Sequence, residues 1–478
     1  MNMKKYIYIA FAALTVLTAC DKDFLKKDPI TSQSNVLTLS SYKGLNQAVQ
    51  GAYGRLVNTS WYGEDFIIST EMRTIDGKKW IGSIHDTGRY NDDYAILFTP
   101  TNTSGLWGVA YSEINAVNSV LDVIDNISMT DAQRKNLKAE CLFLRALSHF
   151  DLVRMYAMPY DYTDDASHLG VPVVTTVQGI KEKPARNTVK EVYDQIISDL
   201  LAAADDIDPA YTRPEATDAK AVVSLPAIWA LLSRAYLYSD QWQKAADYAT
   251  KVIDSKKYEM WSADDVKDAK CFLQDAPKGG EIIFETYGSK VNTDDGYHNS
   301  LWSLTCSEGE YGDAGASTDL EKLYEDGDVR KSWLEPDADG NCLFTRKYAG
   351  KGLANPDLNN TVVLRLSEMY LNRAEAVIHG ATGSSAISDL AVIAKDRNAT
   401  AQPATLTGVY MERAKELAWE GHLWFDLART GRDMDRTDIA SSSIPTNIPK
   451  GDHRWAMPIP QRELTVNGNL VQNAGYGE

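Results

Sequence analysis

The stretch LLSRAYLYSDQWQKAADYATKVIDSKKYEM, Leu231–Met260, reads with the residues just before it as two helices, Ala227–Tyr238 and Gln241–Asp254. A tight turn at Ser239-Asp240 joins them. Trp229, Leu232 and Tyr236 recur at three- and four-residue steps, the period that lines one helix face. Ala245 on the second helix is small and lets that helix approach closely. Over Leu225–Tyr258 these positions follow the roughly 34-residue tetratricopeptide spacing, with Ser233 in place of the usual glycine and Ala249 in place of an aromatic. A single hairpin cannot bury its own apolar face, so others must stack on it.

Working outward, helical patterning runs from Leu39 to about Val57. It returns through Ile114, Val117, Leu121, Ile124 and Ile127, and again from Asp131 to about Met155, with Phe143, Leu147 and Phe150 inward and Pro159 closing the run. Leu364–His379 with Ala386–Arg397, and Gly408–Thr430, are the expected companions of the hairpin. The fold class is therefore mainly α, a tetratricopeptide-like helical-hairpin scaffold with long loop-rich insertions. Two stretches lack the period. Asn58–Ser104 holds Trp61, Tyr62, Arg73, Asp76, Trp80 and Tyr90, and the region from about 263 to 352 is rich in Gly, Asp and Asn. Long irregular segments on a rigid frame tend to carry function.

The first twenty residues address the chain. Lys4 and Lys5 precede an apolar run from Tyr6 to Val16, then Leu17-Thr18-Ala19-Cys20. A charged start, a short apolar core and small residues before a cleavage point make an export signal. The apolar run is shorter than the roughly 20 residues that span a bilayer. A cysteine at that point fits lipoprotein processing, in which the thiol is acylated and the chain is cut before it. The expected organisation is a signal peptide over 1–19, a lipid-anchored tether over 20–36 and one helical body over 37–478.

Composition narrows the partners. The formal net charge is −17 and no Lys/Arg block interrupts it, which argues against nucleic acid. Membrane attachment rests on the lipid at Cys20. Cys141, Cys271, Cys306 and Cys342 have no paired CxxC spacing, so no zinc site is expected; Cys141 reads as a buried helix residue, and a disulfide among the other three is open. The chain has 25 tyrosines and 11 tryptophans against 10 phenylalanines, a skew toward rings with a polar handle that suits wet binding surfaces.

Glu412, Arg413, Glu416 and Glu420, followed by Asp426 and Arg429, could supply acid–base carboxylates for glycoside hydrolysis. Their helical interleaving with arginine points instead to an ion network between helices. Asp337–Asn341 alternates oxygens as a calcium loop does, but Cys342 and Tyr348 occupy the positions where glycine and a bidentate glutamate belong, so it reads as a polar turn. No metal or cofactor is expected. No GxSxG, HExxH or phosphate-cradling motif occurs.

Several blocks together resemble one family. They are Asp23-Phe24-Leu25 with Asp28-Pro29, AECLFLRALSHFDLVRMYAMPY (Ala139–Tyr160), the hairpin segment Leu231–Met260, RLSEMYLNRAEAV (Arg365–Val377), ERAKELAWEGHLWFDLARTGR (Glu412–Arg432) and MPIPQRELTVNGNLVQNAGY (Met457–Tyr476). In order and spacing they resemble the SusD/RagB family of Bacteroidota surface lipoproteins, with Leu423 where arginine usually follows the EGH triplet. The resemblance implies a non-enzymatic, nutrient-binding lipoprotein on the outer face of the outer membrane. Such a protein sits as a lid on a SusC-like TonB-dependent transporter and captures glycans, or in some relatives peptides.

Sugars are held by stacking on Trp or Tyr faces while Arg, Asp and Asn bond the hydroxyls. On that logic Trp80, Trp302, Tyr297 and Tyr311 are the candidate platforms, with Arg73, Asp76 and Asn299 as polar partners. A peptide-capturing lid, a surface glycoside hydrolase and a protein-binding scaffold are the competing readings.

Overall fold

The stacking expected around the hairpin begins well before it. The computed structural model describes residues 39–179, 181–214, 216, 218–273, 280–288, 300–307, 311–350 and 358–477. Its main helices are α1 (Tyr42–Arg55), α2 (Asp65–Met72), α3 (Leu106–Val123), α4 (Asp131–Tyr156), α5 (Val189–Asp206) and α6 (Leu225–Tyr238). They continue as α7 (Trp242–Asp254), α8 (Leu366–Ile378), α9 (Ala386–Asp396), α10 (Leu406–Glu416) and α11 (Leu423–Arg429). From α3 to α8 each helix packs on the next in this series, and α8 also carries α9 and α10.

Local chemistry starts these helices cleanly. Thr130 with Gln133 and Thr188 with Glu191 form reciprocal capping boxes for α4 and α5. Ser224 accepts the Ala227 N–H at the start of α6, whose first turn holds Pro226. In the hairpin itself Ala245 and Ala249 are completely buried. Ser233, the departure from glycine, donates its hydroxyl to the Ala245 carbonyl at 2.9 Å. The substitution becomes a bond between the two helices.

Three elements differ from the sequence reading. Helix α5 lies where no helix was assigned, although Val192, Ile196, Leu200 and Ala203 line its buried face. Helix α2 falls inside the stretch read as irregular. Every residue after Asp65 in it is buried, so it has no polar face to generate a period. Gly408–Thr430 is not continuous: α10 and α11 are separated by a break where Trp419 (φ 61°) and Gly421 (φ 74°) take left-handed backbone. The four described cysteines are buried as thiols, so the disulfide left open is not formed among them.

Eight short strands complete the described frame: β1 (Gly77–Lys78), β2 (Ile282–Glu285), β3 (Gly315–Ala316), β4 (Leu334–Pro336), β5 (Leu343–Thr345), β6 (Val362–Arg365), β7 (Met434–Asp435) and β8 (Asn447–Ile448). An antiparallel sheet of order β1-β3-β5-β4 runs through the region read as loops. Gly77 pairs with Ala316, and Ala316 with Leu343. The polar turn at Asp337 closes β4 onto β5: its Oδ1 accepts the N–H groups of Asn341 (2.8 Å) and Cys342 (3.1 Å).

Buried ion pairs tie this loop-rich region to the helices. Glu416, completely buried on α10, meets Arg365 at 2.7 Å, Arg397 at 2.8 Å and Arg330 at 2.9 Å. Arg365 also reaches Glu281 (3.1 Å) and Glu420 (2.8 Å), while Arg330 reaches Glu412 (2.6 Å). Burial by itself would raise the Glu416 carboxyl, but the guanidinium groups of Arg397, Arg365 and Arg330 hold it well below the usual range. Arg413 and Arg429 each pair with Asp426 at 2.8 Å. The charged run that could have suggested hydrolysis forms the expected interhelical network.

Candidate functional site

Strand pairing between β1 and β3 brings the two irregular stretches of sequence together. The chain leaving β1 forms a loop over residues 79–90 that lies across residues 311–316. Asp313 fastens it. This fully buried carboxylate accepts the Thr87 N–H (2.9 Å) and hydroxyl (2.7 Å) and pairs with Lys79 at 3.1 Å. At the other end of the sheet Lys78 pairs with Asp438, which also accepts the Thr318 N–H at 2.7 Å.

Trp80 is half-buried on this loop and donates its indole N–H to the Leu343 carbonyl on β5 at 3.3 Å. Its ring crosses β3 at Gly315, where a Cβ would lie 2.0 Å from the indole nitrogen. Only glycine admits the tryptophan there. Tyr311 is also half-buried, with the Arg89 guanidinium 4.2 Å from its ring centre. Its N–H donates to the Ser303 carbonyl (3.0 Å), and its own carbonyl lies 3.2 Å from His85 Nδ1. Trp302, half-buried, precedes Ser303 in the helical turn Leu301–Thr305. The segments that carry Trp80, Tyr311 and Trp302 are thus joined, through Trp80 on Gly315, His85 on the Tyr311 carbonyl and the Tyr311 N–H on Ser303 beside Trp302.

Arg73 and Asp76 do not belong to it, which corrects their nomination as ligand partners. Both are completely buried. Arg73 closes the C-terminus of buried helix α2, pairs with Asp93 at 2.8 Å and lies 4.5 Å from the Phe98 ring. Asp76 immediately precedes the buried strand β1, and burial pushes its carboxyl up to about 6. Residues next to an interior strand and helix have no path to solvent. Tyr297, Asn299 and Cys20 lie outside the described residues.

The sequence reading missed other residues of the loop. Ile81 and Ile84 are 56% and 88% exposed, and His85 packs edge-on against Phe344 at 4.8 Å. Two isolated isoleucines in the polar segment Trp80–Tyr90 were the available signal, since apolar side chains set in a Gly/Ser/Asp loop have no core to join. On the other side of this loop, Gly88 and Tyr90 border an open cleft of about 430 Å³, within the range of about 300–1,000 Å³ usual for small-ligand pockets. Glu416 and Glu420, the carboxylates weighed for acid–base chemistry, are buried in ion pairs away from the platform.

A family model described as "Starch-binding associating with outer membrane" matches residues 23–237, and a second, "SusD family", matches residues 344–476. The chain belongs to the SusD/RagB family. A relative named SusD-like protein P25, from Formosa agariphila, is 23% identical over 99% of both chains. The solved structure of a putative sugar binding protein from Bacteroides vulgatus superposes with a TM-score of 0.82 at 27% identity, covering 92% of this chain and 99% of that one. A SusD superfamily protein from Bacteroides thetaiotaomicron superposes with the same TM-score and identity, covering 91% and 99%. SusD/RagB proteins are starch- and glycan-binding proteins associated with the outer membrane. Among the described residues of this SusD-like chain, no helix is long and apolar enough to cross a membrane.

Proposed function

We propose that this SusD/RagB protein is a cell-surface lipoprotein that captures oligo- or polysaccharide on the Trp80–Tyr311–Trp302 platform. It delivers the glycan unaltered to a SusC-like TonB-dependent transporter. The lipid on Cys20 tethers it to the outer face of the outer membrane, with residues 20–36 as the tether and the rest as one helical body. The observation that supports this reading is that three half-buried aromatic residues, drawn from two distant stretches of sequence, lie on segments bonded and packed to one another. Half-buried rings are held in place by packing yet keep a face for the apolar side of a sugar ring. The naming of one structural neighbour as a sugar binding protein agrees with it.

Affinity electrophoresis and calorimetry with a polysaccharide panel test the reading, together with an assay for reducing ends. Retention by at least one glycan, weakened in Trp80→Ala and Trp302→Ala and without release of reducing sugar, is the expected result. Peptides bound in place of every glycan would make the protein a peptide-capturing lid. Sugar release would make it a hydrolase.

A further inference from the structure

The turn between α2 and β1 gathers two acids that glycan capture leaves without a role. The Thr74 hydroxyl donates to the Glu71 carbonyl at 3.0 Å and accepts the Asp76 N–H at 3.2 Å. Gly77 follows so closely that a Cβ there would lie 2.5 Å from the Met72 Cα. The closed turn sets the Glu71 and Asp76 carboxyls within hydrogen-bond reach of each other. Both residues are completely buried. Glu71 Oε1 accepts the Gly421 N–H from the α10–α11 break. Glu71 Oε2 and both Asp76 oxygens find no donor at full hydrogen-bond geometry among the described residues; the Trp419 N–H faces Asp76 but falls short of it.

The neighbouring elements do not supply what is missing. Lys347, just past β5, is a cation that faces both acids, but it pairs with Glu420 at 2.6 Å. Tyr348 faces Glu71 and Tyr324 faces Asp76; burial pushes both phenols up, and their hydroxyls donate to the Trp419 and Lys415 carbonyls. Arg73 turns to Asp93, and Arg436 to the Met72 carbonyl at 3.2 Å. Two carboxylates cannot hydrogen-bond each other, since neither has a donor, and two buried like charges side by side are costly. A single proton removes both difficulties, because a carboxylic acid donates to a carboxylate. Burial first, and then the Asp76 charge, raise the Glu71 carboxyl well above its usual range, so Glu71 is the member that keeps the proton.

We infer that Glu71 and Asp76 share a proton and form a pH-sensitive latch, which fastens the start of β1 to the α10–α11 break and opens when that proton is lost in alkali. Strand β1 leads directly into the loop that carries Trp80, so the latch sets how firmly that loop is held. It goes beyond glycan capture and does not rest on it. Because the fold binds a proton that the unfolded chain releases, the contribution is complete below about pH 4.5 and is lost as pH rises through the raised folded value of Glu71.

The test uses the mature lipoprotein in detergent. Hydrogen exchange corrected for intrinsic rates should show protection over residues 72–80 and 417–421 falling about tenfold between about pH 7 and about pH 9.5. In Glu71→Gln the amide donates to Asp76 permanently and its oxygen still accepts the Gly421 N–H, so protection of the same segments stays level. An equal loss in Glu71→Gln assigns the change to Lys347 or the tyrosines and overturns the latch, as does level protection in the unaltered protein. If the variant folds poorly, infrared difference spectroscopy of the unaltered protein decides. At about pH 8.5 the carboxyls of Glu64, Glu113 and Glu285, raised to about 7, are ionised. The C=O stretch of a protonated carboxyl should persist there and vanish over the pH range in which protection is lost. No such band, or one that vanishes outside that range, overturns the inference.

Discussion

The α8–α11 scaffold and the aromatic platform both bury carboxylates, but they treat them oppositely. In the scaffold Glu416 and Asp426 are surrounded by arginines that hold their carboxyls well below the usual range against the effect of burial. Beside the platform, burial dominates. Glu64 is pushed up to about 7, and Asp65 and Asp76 to about 6. One region uses buried charge to lock helices together. The other buries carboxyls, wholly or in large part, that have no ion pair among the described residues, one of them, Asp65, at the edge of an open cleft. Structural charge is saturated with partners, whereas unsaturated buried charge marks places poised for a ligand or a proton.

The largest expected effect lies in the scaffold. Glu416→Gln leaves Arg330, Arg365 and Arg397 short of one counter-charge, and breaking a buried network costs about 3–5 kcal/mol. Chemical denaturation measures it; a loss below about 1 kcal/mol would erase the contrast between the regions.

Acidity separates the two halves next. Carboxyls raised in the fold bind protons that the unfolded chain does not, so the platform side gains stability as pH falls from about 7 to about 4.5. The scaffold acids are depressed in the fold. Their contribution is complete above about pH 4.5 and is lost only as pH falls through their lowered folded values. Hydrogen exchange corrected for intrinsic rates should show greater protection of residues 64–90 at pH 5.5 than at pH 8, with α10 and α11 unchanged. Parallel behaviour of both regions would break the comparison.

Trp80→Ala should weaken glycan binding by about 30-fold, the roughly 2 kcal/mol of an aromatic anchor, with the helical signal in circular dichroism intact. Smaller still, Thr188→Ala removes the reciprocal cap of α5 and should cost about 1 kcal/mol in a thermal or denaturant melt, with glycan affinity unchanged.

Much of the frame was legible because its helices are amphipathic. The hairpin at Leu225–Tyr258, the long helix from Asp131 and the pair around Arg365–Arg397 all carry a three-to-four-residue period, and their helices appear within a few residues of the expected bounds. The interhelical role of Glu416 and Asp426 was legible too, because acids interleaved with arginines on a helix seek one another. Helix α2 was not, since a helix buried on all sides has no period. Nor was the sheet β1-β3-β5-β4, whose strands of two or three residues are too short to alternate visibly.

The site divides the same way. Aromatic residues in irregular stretches drew attention to this region, yet composition could not separate Trp80, half-buried on the loop, from Arg73 and Asp76, completely buried. What the sequence determined alone is whatever depends on neighbours along the chain: helical period, caps and the family blocks. Only the tertiary structure decided which loop residues face water and which carboxylates lack a partner. Burial and pairing there depend on contacts such as Gly315 with Trp80 and Asp313 with Thr87, made between segments more than two hundred residues apart.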